Sequence, residues 1–273
     1  MSNSDKSQQE MGFWDHVDAL RGVLWRSVAV IAVFAGVLFY FMPTIFKNVV
    51  LAPCKGDFIL YQLFEQITAG NPLFPNFSTE GFSVELINIE LASQFFIHIS
   101  TSLWLALILS FPVIFYLLWG FISPALYQNE IKGTRIALIA GNIMFYAGVA
   151  VSYFLVFPLT LRFLAEYQIS EEIVNTISLS SYMNTFMMLL LLMGLLFELP
   201  IVAWLLGKFG ILYRNFFTIY RRHAIAALMI LAAIVTPTGD PFTMLVVFIP
   251  IYALWEASAL LVKKQPTLDN TPA

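Results

Sequence analysis

The chain has 273 residues, 59% of them hydrophobic and only 11% charged, with a mean hydropathy of +0.80. Soluble domains carry about a quarter charged residues, so this chain has too few to coat a globule in water, and lipid must supply part of its solvent. A net charge of −3 gives no basic field for nucleic acid, and the single cysteine, Cys54, excludes an internal disulfide.

Residues 1–21 are polar and mixed in charge, without the basic start and apolar centre of a cleaved signal peptide. "WDHVDALRGVLWR", Trp14 to Arg26, reads as an amphipathic helix leading into a first span, with His16, Leu20 and Val23 on one side. Six apolar runs follow in order. They are about 23–42, ending at Pro43; 95–122, with Pro112 inside; 136–157, stopping before Pro158; 182–206, with Glu198 and Pro200 inside; 224–235; and 242–262, with Pro250 and Glu256 inside. Four have the roughly 20 residues needed to cross a hydrocarbon core about 30 Å thick. The fifth rises only about 18 Å. The turn "TPTGDP" (Thr236 to Pro241) then pairs short fifth and sixth spans in a shallow hairpin. The expected fold is an all-α integral membrane domain of six spans over residues 1–264, with a loose tail at 265–273.

Of the fourteen Lys and Arg residues, only Lys47, Lys55 and Arg162 fall outside if the N-terminus is cytoplasmic. The positive-inside bias therefore places both termini in the cytoplasm. The first outer loop, about Thr44 to Glu90, is long. Within it "FILYQLFEQI" (Phe58 to Ile67) has helical apolar spacing and suits a membrane surface, as an ordinary loop or as a cap over a cavity.

No phosphate-binding glycine loop, H-E-x-x-H or G-x-S-x-G motif occurs, and three scattered histidines (His16, His98, His223) make no metal site. Nothing argues for an enzyme or a cofactor. His98, near the outer end of the second run, reads as a hydrogen-bonded packing residue. Glu198 is the strongest local signal. A charge in the bilayer interior costs several kcal/mol unless it faces protein, water or a partner. Pro200 removes the N–H that would serve the Leu196 carbonyl, so Glu198 sits at a weakened, kinked point facing a polar pocket. It is a functional acid or a structural one hydrogen-bonded to a neighbouring helix. Glu256 lies about two turns before Lys263 and Lys264 and is expected to snorkel toward them or pair with them. In "FISPALYQNEIKGTR" (Phe121 to Arg135), Ser123 and Pro124 open a short helix and Glu130 presents a carboxylate at the membrane surface.

"FISPALYQNE" resembles the first cytoplasmic loop of TatC, the multispan receptor subunit of the twin-arginine protein translocase. "HVDALR" (His16 to Arg21) resembles that family's N-terminal His-Leu-x-Glu-Leu-Arg. "SYFLVFPLTLRFL" (Ser152 to Leu164) resembles the end of its third span, "FELP" (Phe197 to Pro200) its Phe-Glu-x-Pro, and "TPTGDPFTMLVVFIPIYALWE" (Thr236 to Glu256) its last turn and span. Together these cover nearly the whole chain in the right order.

The resemblance implies a core receptor subunit in the bacterial inner membrane. It would bind the paired arginines of signal peptides on folded precursors and organise TatA- or TatB-like single-span subunits for export driven by the proton-motive force. It implies self-association in a larger complex, contact with membrane lipid, no nucleic acid and no cofactor. The signal-peptide residues would be Glu130, Asp18, Arg21, His16 and Phe121; carboxylates suit this because they pair guanidiniums bidentately. Ala19 stands where the family's N-terminal motif has Glu, and Asp18 is the nearest substitute. The intramembrane or partner residues would be Glu198, Thr236, Asp240 and Glu256, with Met244 standing where some relatives have Gln. A small ion-coupled secondary transporter is the alternative, since such proteins also carry mid-membrane acids. Against it, the two halves hold no matching pair of interrupted helices.

Overall fold

The computed structural model describes residues 13–68, 81–122, 131–170, 172 and 175–264. Ten α-helices account for most of them: α1 Phe13–Ile45, α2 Ile59–Thr68, α3 Ser93–Ile122, α4 Ile131–Val151, α5 Phe157–Glu166, α6 Leu179–Leu196, α7 Leu199–Lys208, α8 Arg214–Ile219, α9 Arg221–Val235 and α10 Pro241–Leu261. Among the described residues, five stretches are long and apolar enough to cross a membrane: Val17–Cys54, Ser93–Phe121, Ile136–Glu166, Leu179–Lys208 and Pro241–Leu261. Much of their apolar surface points outward, as at Val33, Ile139, Ile143 and Ile249, where lipid rather than protein satisfies it.

Two helices continue through prolines that the sequence marks as ends. The expected stop at Pro43 fails: α1 runs on to Ile45 and then through a π-helical turn, Phe46–Val50. The expected stop before Pro158 fails too, because α4 passes through a second π-turn, Ser152–Val156, into α5. A proline breaks a helix chiefly by orphaning the carbonyl four residues earlier. Here other helices supply the missing donor. The Phe39 carbonyl, freed by Pro43, lies 2.9 Å from His98 Nε2. The Ile108 carbonyl, freed by Pro112, accepts from the Tyr146 hydroxyl at 3.3 Å. The Val49 carbonyl, four residues before Pro53, accepts from the Tyr153 hydroxyl at 2.9 Å. His98 is thus the packing residue expected, its ring stacked on Phe39 at 4.1 Å.

α1 and α3 pack antiparallel along much of their length, which places the start of α1 and the end of α3 at the same end of the bundle. α4 lies antiparallel to both α3 and α6 through close contacts of small residues. Gly148 lies so near the Met193 carbonyl, and Gly194 so near the Phe145 ring, that a methyl group at either would overlap them. Small residues at such crossings let helices gain dispersion contact where lipid gives no hydrophobic drive. The core around this crossing is Phe145, Phe157, Phe186, Met193, Val247 and Ile251. α9 has 15 residues, about 22 Å of rise, and folds back on α10. The hairpin is as expected, but its second arm is not short: α10 has 21 residues.

At the opposite end of the bundle from the start of α1, α2 docks through Phe58, Leu60 and Tyr61 against Phe82, Tyr153 and Leu159. The buried Tyr61 hydroxyl lies 3.0 Å from the Pro53 carbonyl and 3.1 Å from the Pro158 carbonyl. This ties the first long loop to the α4–α5 junction. The all-α expectation also misses a two-stranded parallel clasp, β1 Leu86–Ile87 with β2 Ile177–Ser178, pairing Leu86 with Ile177 and Ile87 with Ser178. Two-residue strands leave no alternating pattern to read.

Candidate functional site

Glu198 occupies the break between α6 and α7. α6 ends at Leu196, and with Pro200 in its first turn α7 begins at Leu199. The Glu198 carbonyl accepts from both Ile201 and Val202 N–H at 3.0 Å, so the backbone restarts the helix there. The side chain turns toward α4, where Oε2 would lie 3.0 Å from a methyl group at Gly141. Its other oxygen, Oε1, is buried without a hydrogen-bond partner among the described residues.

Of the other buried polar atoms without a partner among the described residues, Asn142 Oδ1 and Trp119 Nε1 belong to α4 and α3, the helices that meet at Gly141. Asn142 adjoins Gly141 and donates Nδ2 to its own helix at Leu138, 2.8 Å away. Trp119 stands one turn beyond Phe115, whose ring packs on Gly141. A donor on α3, an acceptor on α4 and a carboxyl at the α6–α7 break thus belong to the three elements that meet at Gly141. Buried polar groups are nearly always paired, and each open valence here has a cost that an incoming polar group would remove. Sequence reasoning missed Trp119 and Asn142. Asn142 was findable as a polar residue inside the third apolar run, whereas Trp119 carried no local signal.

Thr236 and Asp240 bracket the α9–α10 turn, which Gly239 completes at φ +62°. Asp240 caps α10: Oδ1 accepts from Thr243 N–H at 2.7 Å and Oδ2 from the Thr238 hydroxyl at 2.6 Å. Burial pushes this carboxyl up, but the hydrogen bonds from Thr238 and Thr243 outweigh it and hold the group below its ordinary range. Thr236 is buried, with its hydroxyl donating to the Ala232 carbonyl at 3.0 Å.

Glu256 does not pair with Lys263 or Lys264. It accepts from Arg221 Nη2 at 2.6 Å and from the Tyr252 hydroxyl at 2.8 Å, joining the start of α9 to α10. The helical spacing fails because α10 ends at Leu261. Val262 is extended (ψ 139°), and the Lys263 carbonyl accepts from Arg214 N–H at 3.0 Å.

Asp18 and Arg21 are exposed on the early turns of α1, three residues apart and hence on one side of the helix. Ala19 beside them is half-buried. Phe121 lies in the last turn of α3, at the same end of the bundle. Glu130, with the short helix expected from Ser123, and the His16 side chain lie outside the described residues.

A bundle of long apolar helices with prolines bridged between spans and an acid at a helix break defines a multi-pass membrane protein. The family model described as "Sec-independent protein translocase protein (TatC)" matches residues 15–250, and the chain belongs to that family of protein-transport components. Among curated relatives, the TatC of Blattabacterium is 34% identical over 252 residues, 92% of this chain and 94% of that one. The TatC of Aquifex aeolicus is 31% identical, covering 93% and 95%. The Escherichia coli K12 protein is 35% identical over 171 residues, 63% of this chain and 66% of its own. Two crystal structures of the twin arginine translocase receptor TatC superpose with TM-scores of 0.70 and 0.71 at 29% identity, covering 90% and 91% of this chain and 97% and 99% of theirs. Membership in a translocase family displaces the secondary-transporter reading.

Proposed function

We propose that this chain is the signal-peptide receptor of a twin-arginine translocase, built as six spans with α9 as the fifth and both termini in the cytoplasm of a bacterial inner membrane. The family supports the role, and the excess of Lys and Arg on one side supports the orientation. Glu130 reads the arginine pair. Asp18, Arg21, His16 and Phe121 frame it from α1 and the end of α3, with Asp18 taking over from the carboxylate absent at Ala19. The receptor then gathers single-span TatA- or TatB-like subunits at Glu198 and along the α9–α10 hairpin, at Thr236, Asp240 and Glu256.

The observation that carries the partner half of this reading is the buried Glu198 Oε1, unpartnered among the described residues, on a carboxyl that turns to Gly141 of α4. A polar side chain on a partner's transmembrane helix supplies the missing hydrogen bond. For the peptide half, two adjacent guanidiniums are best met by carboxylates, which pair Arg bidentately and Lys only singly.

Photocrosslinking from position 130 to a twin-arginine signal peptide, in membranes, tests the receptor role. Excess twin-arginine peptide is expected to abolish the crosslink, and twin-lysine peptide to compete much less. Equal competition by both peptides would remove the arginine-reading role from Glu130.

A further inference from the structure

Away from Glu198, a groove of about 500 Å³ runs between α3 and α6. The two helices are parallel, since each is antiparallel to α4. The groove is graded along its length. Its polar groups stand near the helix starts, Ser100 and Thr101 on α3 and Ser180 and Asn184 on α6, while Met187 and Leu191 line it farther along. Thr101 is 1% exposed, and its hydroxyl has no hydrogen-bond partner among the described residues. A helical threonine normally donates to the carbonyl four residues back. Here that carbonyl, Ile97, accepts from Ser100 at 3.2 Å. The flanking Ser102 donates to His98 at 2.7 Å, so Thr101 alone in this turn keeps its donor for the groove.

We propose that this groove is a specific phospholipid site, with the lipid's ester oxygens at Thr101 and its polar neighbours and one acyl chain along the methionine and leucine wall. Polar-to-apolar grading along the bilayer normal matches a lipid. Methionines adapt to a flexible chain better than branched side chains do. A second cavity, of about 330 Å³, adjoins the first through Ile97 and continues it from Ser180 to Leu179. It carries Lys47 and Gln94 beyond the start of the groove, where a phosphate follows the glycerol. The ligand is therefore a phospholipid rather than a neutral diacylglycerol. This site is independent of Glu130 and Glu198, so it stands or falls apart from the receptor reading.

The test uses the full chain in vesicles containing phosphatidylglycerol with a photoreactive group in one acyl chain, followed by peptide mapping. Adducts are expected to concentrate on residues 187–192. Thr101→Val with Asn184→Leu should lower them at least five-fold without changing adducts on the exposed face of α1 around Val33. Leu191→Trp fills the groove without touching its polar groups and should do the same, which keeps the test valid if the double variant fails to fold. Lys47→Gln should reduce labelling by photoreactive phosphatidylglycerol but not by photoreactive diacylglycerol. Labelling spread evenly over all lipid-facing helices, or unchanged in both groove variants, overturns the proposal. So does a crosslink from position 188 to a single-span subunit that excess lipid fails to displace.

Discussion

His98 Nε2 lies 2.9 Å from the carbonyl oxygen of Phe39, the acceptor that Pro43 leaves without its helical N–H. One residue on α3 therefore keeps α1 continuous through a proline. To serve a carbonyl, Nε2 must carry the ring proton. His98→Ala strands the Phe39 carbonyl and should lower unfolding stability by about 1–3 kcal/mol, measured by denaturant titration in detergent. His98→Gln keeps an N–H donor and should recover more than half of the loss. Equal losses in both variants would mean that ring stacking on Phe39, not the hydrogen bond, holds the pair.

The glycines of α4 separate packing from chemistry. An alanine methyl at Gly148 would lie 2.5 Å from the Met193 backbone oxygen, which can move only if the helices part. At Gly141 it meets side chains, Phe115 Cε1 at 2.8 Å and Glu198 Oε2 at 3.0 Å. Gly148→Ala should cost about 1–3 kcal/mol or more, as overpacking does, and Gly141→Ala less. Gly141→Ala should nonetheless impair export in a transport assay, because it displaces the Glu198 carboxyl.

Glu198→Ala should leave twin-arginine peptide binding nearly intact while reducing co-purification of single-span subunits and transport. Glu198→Gln keeps a hydrogen-bonding terminus and should fall between the two. Full transport by the alanine variant would make Glu198 structural.

Asp240→Ala removes the α10 cap and should lower stability by about 0.5–2 kcal/mol, whereas Asp240→Asn, a good cap, should cost little. A drop in subunit assembly with Asp240→Asn at unchanged stability would reveal a second role for the charge. The sign of the pH dependence follows from the depressed carboxyl. Its stabilisation is complete above the unfolded value of about 3.9 and is lost as pH falls through the folded value, so neutral pH leaves the cap untouched.

Much of this architecture was legible in the sequence because hydropathy and punctuation are local signals. The apolar runs, the Thr236–Pro241 turn, the break at Glu198 and the packing role of His98 all follow from residues within a few positions of each other. What was not legible depends on partners distant in sequence. Pro43 reads as a stop because the donor that makes it tolerable, His98, stands on another helix. Arg221 reaches Glu256 from another helix, while the local lysines fall beyond the end of α10 at Leu261. Phe115 and Glu198 come together only through the way α3, α4 and the α6–α7 break meet at Gly141.

The parallel clasp sets an order on biosynthesis. Leu86 finds its partner at Ile177, about ninety residues later in the chain. At roughly 5–20 residues per second, a ribosome leaves that strand waiting several seconds or more, until α3, α4 and α5 have been made. The first loop and α2 dock on the α4–α5 junction, so they too must wait. Shape at this end of the molecule is consequently a late event, completed only as the strand leading into α6 emerges.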